Sequence, residues 1–274
     1  EKKTAEGQSV EGKTVEGKTV EGKTVEGKIS KEKTSKENIA EARKGENGGV
    51  GNMTLAIKSS VLGRFNALNI LGAAAAAAAL GLEPRTIEKA LSGFAGTPGR
   101  LTRVGENSDY LVLADYSHTP EALKVALETL DGLKEDPESR LLCLFGCGGD
   151  RDRGKRPLMG RTAARLADVV ILTSDNPRTE DPMAIIEEAG QGLKDSGLKP
   201  VGAADRTAGR KSRTFVVEED RRLAVRYGCE VMNKGDIFLI AGKGHENYQI
   251  LGREKRHFDD VEEALAVLRE LGRE

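Results

Sequence analysis

Five short runs of apolar residues recur between positions 110 and 243, and each run is continuous rather than alternating. They are YLVLADY (110–116), LLCLFGC (141–147), VVILTSD (169–175), TFVVEED (214–220) and IFLIAGK (237–243). Continuous apolar runs of this length are typical of strands that are buried on both faces, as in a parallel sheet. The pattern therefore predicts five central strands.

Amphipathic segments with a helical period separate these runs. They are EALKVALETLDGLKE (121–135), RPLMGRTAARLAD (156–168), MAIIEEAGQGLKDSG (183–197), RRLAVRYGCEVMNKG (221–235) and DDVEEALAVLRELG (259–272). Alternation of strand and helix predicts an α/β fold, with a mostly parallel sheet and helices on both faces. Two short helices are predicted earlier, over 65–95, and a surface loop is predicted over 198–213.

A five-residue repeat, VEGKT, occupies residues 10–24 and imitates a nucleotide-binding motif. The P-loop pattern G-x-x-x-x-G-K-[ST] fits residues 7–14, 12–19 and 17–24. A P-loop joins a buried strand to a helix N-terminus, and the charged segment EKKTAE that precedes the repeat is not such a strand. Each repeat has one valine against two charges and a glycine, too little apolar surface to offset the entropy of ordering. We therefore predict a disordered low-complexity tail over residues 1–47, not a P-loop.

The overall composition argues against several classes of partner. The chain has 274 residues, with 43 basic and 44 acidic side chains and a formal net charge of −1. Balanced charge favours neither nucleic acid nor a membrane surface, and no apolar run has the length of a membrane span. The three cysteines, Cys143, Cys147 and Cys229, are odd in number and lack zinc-ribbon spacing, which favours a reducing, cytoplasmic compartment.

Polar or glycine-rich sequence follows four of the predicted strands. The segments are DYSH (115–118), GCGGDRD (146–152), DNPR (175–178) and GKGHE (242–246). Ligands of open α/β sheets bind beyond the carboxyl ends of the strands. Each segment also has a structural interpretation, since glycines turn the chain and exposed charges are solvated. Four such segments at one edge favour a binding site.

The charges in these loops predict the kind of ligand. Gly146 and Gly148 suggest a dinucleotide fingerprint, but Arg151 occupies the position of its third glycine, so NAD and FAD are disfavoured. Arg151 and Arg178 offer guanidinium groups, which suit a carboxylate because they donate two parallel hydrogen bonds. Glu246 offers a carboxylate, which suits an ammonium group. The combination predicts a zwitterionic ligand.

Six motifs in this order resemble the C-terminal part of the Mur ligase family, in particular its diaminopimelate-adding members. They are GRFNALN (63–69), TPGRLTRV (97–104), DYSHTPEAL (115–123), FGCGGDRDRGKRPLMG (145–160), TSDNPRTEDP (173–182) and AGKGHENYQ (241–249). The resemblance covers residues 60–272. It implies that residues 97–274 form the Rossmann-like C-terminal domain of a Mur ligase and that residues 48–96 form the helical end of the central ATP-binding domain.

The resemblance also implies an activity with its cofactors and substrates. These ligases use ATP and Mg²⁺ to convert a carboxylate of a UDP-N-acetylmuramoyl dipeptide into an acyl phosphate. The amine of meso-diaminopimelate then attacks and forms an amide. The C-terminal domain binds the incoming amino acid, whereas the P-loop, the Mg²⁺ ligands and a carbamylated lysine belong to the central domain.

Site residues are assigned by matching the family motifs position by position. The contacts with meso-diaminopimelate fall on Arg151, Asp175, Asn176, Pro177, Arg178, Gly242 and Glu246. The contacts with ATP fall on Asn66 and Asn69 near adenine, Arg100 at a phosphate and Asp115 at the ribose. No catalytic residue and no metal ligand is assigned in this chain, and His118 has no assigned proton-transfer role.

Three interpretations remain open. The chain is part of a ligase that selects diaminopimelate, or part of a related Mur or folylpolyglutamate-type ligase for another amino acid such as lysine, or an inactive fragment or binding module. The sequence shows no counterpart of the uridine-binding domain or the P-loop domain. We therefore expect the isolated chain to lack ligase activity, and a separate N-terminal half is a candidate partner.

Overall fold

The computed structural model describes residues 25–30, 38–44, 55–59, 61–106, 109–209 and 211–273. The chain separates into two compact units, Glu1–Ala95 and Gly96–Glu274.

The first unit combines a three-stranded sheet with two helices. Its elements are β1 (Val25–Ser30), β2 (Asn38–Lys44), β3 (Ile57–Ser59), α1 (Arg64–Ala79) and α2 (Pro84–Ser92). Strand β2 lies between β1 and β3 and is antiparallel to both. A small core beneath the helices contains Ile57, Ile70 and Ile87. The two helices predicted over 65–95 are confirmed.

Strands β1 and β2 fall within residues 1–47, where the sequence predicts a low-complexity tail. Their backbones pair in register, with Ile29 opposite Ala40, so each segment obtains from the other the hydrogen-bond partners that neither has alone. The VEGKT repeat itself lies outside the described residues, and its interpretation as a non-functional P-loop match stays a prediction.

The second unit is built on a seven-stranded sheet. Its strands are β4 (Thr102–Val104), β5 (Leu111–Asp115), β6 (Leu141–Phe145), β7 (Val169–Leu172), β8 (Lys199–Gly202), β9 (Thr214–Val217) and β10 (Ile237–Ala241). They lie in the order β4-β5-β10-β6-β7-β9-β8, and all neighbours are parallel except β4 and β5. Every residue of β6, β7 and β10 is buried, which explains their continuous apolar sequence. The predicted fold class is confirmed.

Helices form two layers against this sheet. They are α3 (Pro120–Asp131), α4 (Lys155–Leu166), α5 (Pro182–Asp195), α6 (Arg221–Val231) and α7 (Asp260–Glu270). Helix α4 packs between α3 and α5, and α6 packs with α7. Thr119, Asp181, Asp220 and Asp259 cap four of the helices by accepting backbone N–H groups of the first turn, a common way to satisfy those donors.

Helices α4 and α5 cross closely because each has a glycine at the contact. A Cβ atom on Gly160 would lie 2.2 Å from the carbonyl oxygen of Ala189, and one on Gly192 would lie 1.9 Å from that of Pro157. Neither distance is compatible with a side chain. The backbones therefore touch directly at this crossing.

The prediction of a surface loop over 198–213 is wrong for its first part. Residues 199–202 form β8, the edge strand, which pairs in parallel with β9. Three of its four residues are exposed, so its sequence, KPVG, has no apolar pattern, and the strand is held by backbone hydrogen bonds.

A two-stranded hairpin follows β10 and was not predicted. Its strands are β11 (Tyr248–Leu251) and β12 (Glu254–His257). The backbone N–H of Arg178 donates to the carbonyl oxygen of Ile250 over 3.1 Å, so the hairpin lies against the segment after β7. In the described part of the chain, no helix is both long and apolar enough to span a membrane.

Candidate binding site at the carboxyl edge of the sheet

Four loops meet at the carboxyl edge of the sheet, as the sequence predicts. They follow β5, β10, β6 and β7, which are neighbours in that order. Because parallel neighbours end at the same edge, the four loops lie side by side. The loop after β6, residues 146–151, is called the glycine loop, and the loop after β7, residues 175–180, is called the DNPR loop.

The glycine loop and the DNPR loop are joined through their backbones. The N–H of Gly149 donates to the carbonyl oxygen of Asn176 over 2.9 Å, and Nη1 of Arg178 donates to the carbonyl oxygen of Gly149 over 2.7 Å. A Cβ atom on Gly149 would lie 1.9 Å from the carbonyl oxygen of Pro177. This glycine is therefore required by the contact between the two loops.

Two arginines converge over Gly148. A Cβ atom at this position would lie 2.9 Å from Nη1 of Arg178 and 3.6 Å from Cγ of Arg151. Arg151 is exposed, and its Nη1 donates a hydrogen bond to the carbonyl oxygen of Asp150. Among the described residues, Nε and Nη2 of Arg178 have no hydrogen-bond acceptor. Both guanidinium groups thus keep donors that an anionic ligand can use.

The fully buried Arg156 braces the glycine loop from inside the protein. It donates to both carboxylate oxygens of Glu180, over 2.7 and 2.9 Å, and to the carbonyl oxygen of Gly148 over 3.2 Å. Glu180 also accepts the backbone N–H of Asp150 over 2.6 Å. Hydrogen bonds from Arg156 lower the pKa of Glu180 to about 2. This ion pair fixes the backbone that carries Arg151.

A second fully buried cation, Lys243, joins the DNPR loop to the loop after β10. Its Nζ donates to Oδ1 of Asn176 over 3.1 Å and to the carbonyl oxygen of Tyr248 over 2.8 Å, and it lies 3.1 Å from Oδ1 of Asp175. Nδ2 of Asn176 donates to Oε2 of Glu246 over 2.9 Å. Asn176 therefore connects a buried ammonium group to a carboxylate that is partly exposed.

Asp175 is ionised although it is buried. Burial raises the pKa of its carboxyl group, but the attraction of Lys243 and then Arg221 outweighs burial, so the pKa lies below its usual value. Arg221 is itself fully buried and binds both carboxylate oxygens of Asp260 at 2.8 Å. Paired charges of this kind satisfy the requirement that buried ions have partners.

Asp115, the predicted ribose contact, supports the turn before β4. Its carboxylate accepts the N–H of Leu101 over 2.8 Å and the hydroxyl of Ser117. Its carbonyl oxygen accepts the N–H of Gly242 over 2.9 Å. Gly242 has a φ of 119° and only Nη2 of Arg221, 4.0 Å away, near the position of a Cβ atom, so space is open beside it. A ribose hydroxyl would share the oxygens of Asp115 with these donors.

One aromatic ring lies beside the predicted phosphate contact, Arg100. Its guanidinium carbon lies 5.5 Å from the ring centroid of Tyr116. The rings of His118 and His245 lie 4.6 and 5.1 Å from the same ring. Nδ1 of His118 is 2.8 Å from the carbonyl oxygen of Tyr116, so this histidine is tied to its own loop.

Asn66 and Asn69, the predicted adenine contacts, lie in the first unit on helix α1. They are three residues apart and therefore share a helix face. Nδ2 of Asn66 donates to the carbonyl oxygen of Leu62 over 2.7 Å, and Asn69 is exposed. Their contact with a nucleotide stays a prediction.

The edge of the sheet thus brings together most of the predicted amino-acid contacts. Asn176, Pro177 and Arg178 meet the glycine loop directly, and Glu246 joins them through Asn176. Sequence analysis did not identify Lys243 and Arg156, because a charged residue between glycines or other charges is normally solvated. The signal that could have identified Lys243 is its place two residues after a fully apolar strand.

No group of three His, Cys, Asp or Glu side chains in the described residues could hold a metal ion. The three cysteines are buried. Burial raises the pKa of all three thiols to about 12, which makes them inert structural groups.

The fold and the loops at its carboxyl edge define the class of protein. Residues 99–244 match the family described as Mur ligase, glutamate ligase domain. The chain belongs to the Mur ligase family.

The relatives of the chain are more specific. The UDP-N-acetylmuramoyl-L-alanyl-D-glutamate--2,6-diaminopimelate ligases of Geobacter metallireducens and Geobacter sulfurreducens are 49% and 46% identical to it, over 218 and 216 residues. These alignments cover 80% and 79% of the chain and 42% of each relative. A solved structure of a protein with the same name is 37% identical with a TM-score of 0.56, covering 85% of this chain and 43% of that one. The chain therefore spans about two fifths of the length of the curated relatives it matches.

Proposed function

We propose that the chain is the amino-acid-binding part of an ATP-dependent amide ligase. This ligase adds meso-diaminopimelate to UDP-N-acetylmuramoyl-L-alanyl-D-glutamate in the synthesis of peptidoglycan precursors, in the cytoplasm. The observation that carries the proposal is the convergence of Arg151 and Arg178 over Gly148, with Glu246 joined to the same DNPR loop through Asn176. The names of the relatives support the choice of amino acid.

In the proposal, the site recognises diaminopimelate by the two charged groups at its distal end. Diaminopimelate carries an ammonium and a carboxylate at each end, and lysine lacks one of the carboxylates. In the proposal, Arg151 and Arg178 bind the distal carboxylate, while Glu246 and the backbone of Gly242 receive the ammonium on the same carbon. The amine at the other end remains free to attack the activated carboxylate and form the amide.

The remaining substrates are shared with other parts of the ligase. ATP supplies the phosphoryl group that activates the dipeptide. The candidate contacts with ATP in this chain are Arg100 and Asp115 in the second unit and Asn66 and Asn69 in the first. In the proposal, the ligands of Mg²⁺ and of the UDP-dipeptide lie mainly in the other domains of the ligase, and a separate N-terminal half would supply these domains if they belong to another chain.

A chimera tests the proposal. Residues 55–274 replace the matching C-terminal part of the Geobacter metallireducens ligase, and the unaltered ligase is the control. Phosphate release is measured with ATP, the UDP-dipeptide and either meso-diaminopimelate, lysine or glutamate, and the product is identified by its mass. We expect release to depend on diaminopimelate. Preference for lysine or glutamate would support a ligase for another amino acid, and a folded chimera that uses none of the three would reject the proposal.

A further inference from the structure

Lys243 has no part in the binding scheme above, although it lies directly beneath it. Lysine is almost never fully buried unless it is paired, and this side chain has no exposed surface. Its Nζ is held by the carbonyl oxygen of Tyr248 at 2.8 Å, by Oδ1 of Asn176 at 3.1 Å and by the carboxylate of Asp175 at 3.1 Å. It therefore connects three segments: the loop after β10, the DNPR loop and the hairpin.

The contacts of Lys243 determine the orientation of the Asn176 amide. Oδ1 of Asn176 faces two donors, Nζ of Lys243 at 3.1 Å and the backbone N–H of Ile250 at 3.0 Å. Only an oxygen can accept both, so Nδ2 must face Oε2 of Glu246, 2.9 Å away. A positive charge at Oδ1 polarises the amide and strengthens Nδ2 as a donor.

We propose that Lys243 is a positioning residue: through Asn176 it fixes the carboxylate of Glu246, so that one oxygen is engaged and the other is free to accept an ammonium group of the incoming amino acid. Within the described residues, Oε1 of Glu246 has no hydrogen-bond donor. Lys243 itself touches no ligand. The ligand named here rests on the proposed function, whereas the contact between Asn176 and Glu246 does not.

The first test needs no ligand. In the 274-residue chain, Lys243→Met removes the charge at similar length. Lys124→Met is the matched control, because Lys124 is exposed on helix α3 and makes an ion pair with Glu128. The Asn176 side-chain amide signals are followed by NMR with and without the substitution Glu246→Gln, which removes the carboxylate charge that faces Nδ2 of Asn176. We expect them to respond in the wild type and the control, and to lose this response in Lys243→Met. An unchanged response in Lys243→Met overturns the proposal.

The same substitution made in a second variant separates a positioning role of Lys243 from a loss of folding. Lys243→Met leaves Asp175 buried without its nearest cation, which destabilises a protein more than removing both partners. The same substitution is therefore also made in Asp175→Asn and compared with Asp175→Asn alone. We expect the NMR response to be lost on this background as well. Retention of the response there also overturns the proposal.

The third test uses two ligands that differ only in their amines. Calorimetry compares meso-diaminopimelate with pimelate, which has the same carbon chain and both carboxylates but no ammonium groups. We expect Lys243→Met to weaken diaminopimelate by about tenfold and pimelate hardly at all, since Glu246 meets only the ammonium. Equal losses would mean that Lys243 merely supports the loops and would overturn the proposal. A wild-type chain that does not prefer diaminopimelate to pimelate contradicts the proposed function instead, and the NMR response then still decides the role of Lys243.

Discussion

Arg178 shows how one side chain combines a structural contact with a free binding group. Its Nη1 donates to the carbonyl oxygen of Gly149 over 2.7 Å, and its backbone has a left-handed φ of 53°. Such a conformation is uncommon for a residue other than glycine and persists where the surrounding structure enforces it. The same guanidinium group keeps Nε and Nη2 available, because neither has an acceptor in the described part of the chain.

The Arg178→Ala substitution separates these two contributions. We expect it to weaken meso-diaminopimelate by about ten- to a hundredfold, the value of one charge-assisted hydrogen bond, and to change the weak binding of lysine much less. Calorimetry on the chain measures both affinities. Arg253→Ala, at an exposed arginine in the turn of the hairpin, is the control and should leave both unchanged. If the affinities for the two amino acids fell equally, Arg178 would have only a structural role and would not bind the distal carboxylate.

The carboxylate of Glu180 makes part of the stability of the fold depend on pH in the acid range. Arg156 lowers the pKa of this carboxyl group from 4.5 to about 2. A lowered pKa stabilises the fold above the ordinary pKa, and the stabilisation is lost as the pH falls from about 4.5 towards 2. We therefore expect the melting temperature of the wild type to fall more steeply over this range than that of Glu180→Gln. Glu187→Gln, an exposed glutamate on α5, should follow the wild type. Parallel curves for wild type and Glu180→Gln would contradict the assignment.

At the scale of elements, the pattern of apolar residues predicts the buried strands. It does not predict an exposed strand that is held only by backbone hydrogen bonds. Strands β6 and β10 are recognisable because all ten of their residues are buried. Strand β8 is not, because KPVG is mostly exposed and pairs only through its backbone. The exposed Arg151 was predicted from chemistry after a strand, whereas the burial of Lys243 depends on three loops that meet only in the folded chain.

Helix α5 offers a matched pair of glycines for testing the helix crossing. A Cβ atom on Gly192 would lie 1.9 Å from the carbonyl oxygen of Pro157, whereas one on Gly190 would make ordinary contacts of 3.5 to 3.8 Å with Leu172 and Phe215. We expect Gly192→Ala to lower the free energy of unfolding by about 1–3 kcal/mol or more. Gly190→Ala should be neutral or stabilising by about 0.5–1 kcal/mol, because alanine is the better helix former. Urea unfolding measures both, and similar losses would contradict a direct backbone contact.

At the scale of the whole molecule, the second unit contains the sheet and both helix layers within Gly96–Glu274. We therefore expect deletion of residues 1–47 to leave the stability of this unit nearly unchanged, since the buried cluster of its core lies between Val104 and Leu268. Hydrogen exchange read by mass spectrometry should show the same protection of β6, β7 and β10 in the full-length and shortened chains. Faster exchange of these strands after deletion would show that the N-terminal residues stabilise the second unit.

The three cysteines report on the integrity of the second unit, in which all of them lie. All of them are buried, and burial raises each pKa to about 12, so almost no thiolate is present at neutral pH. A thiol reagent such as dithionitrobenzoate should label none of them in the native protein and all three after denaturation in urea. Rapid labelling of the native chain would contradict this burial.

The contact between Gly149 and Pro177 also limits how this site can be redesigned. Because no side chain fits between the two loops, neither can be lengthened or moved without the other. An engineer who wishes to retarget the site towards another amino acid must keep this frame and vary the side chains around it. In a library randomised over both loops, selection for folding should therefore return glycine at 149 while accepting many residues at 151, and new specificities should arise at 151, 178 and 246.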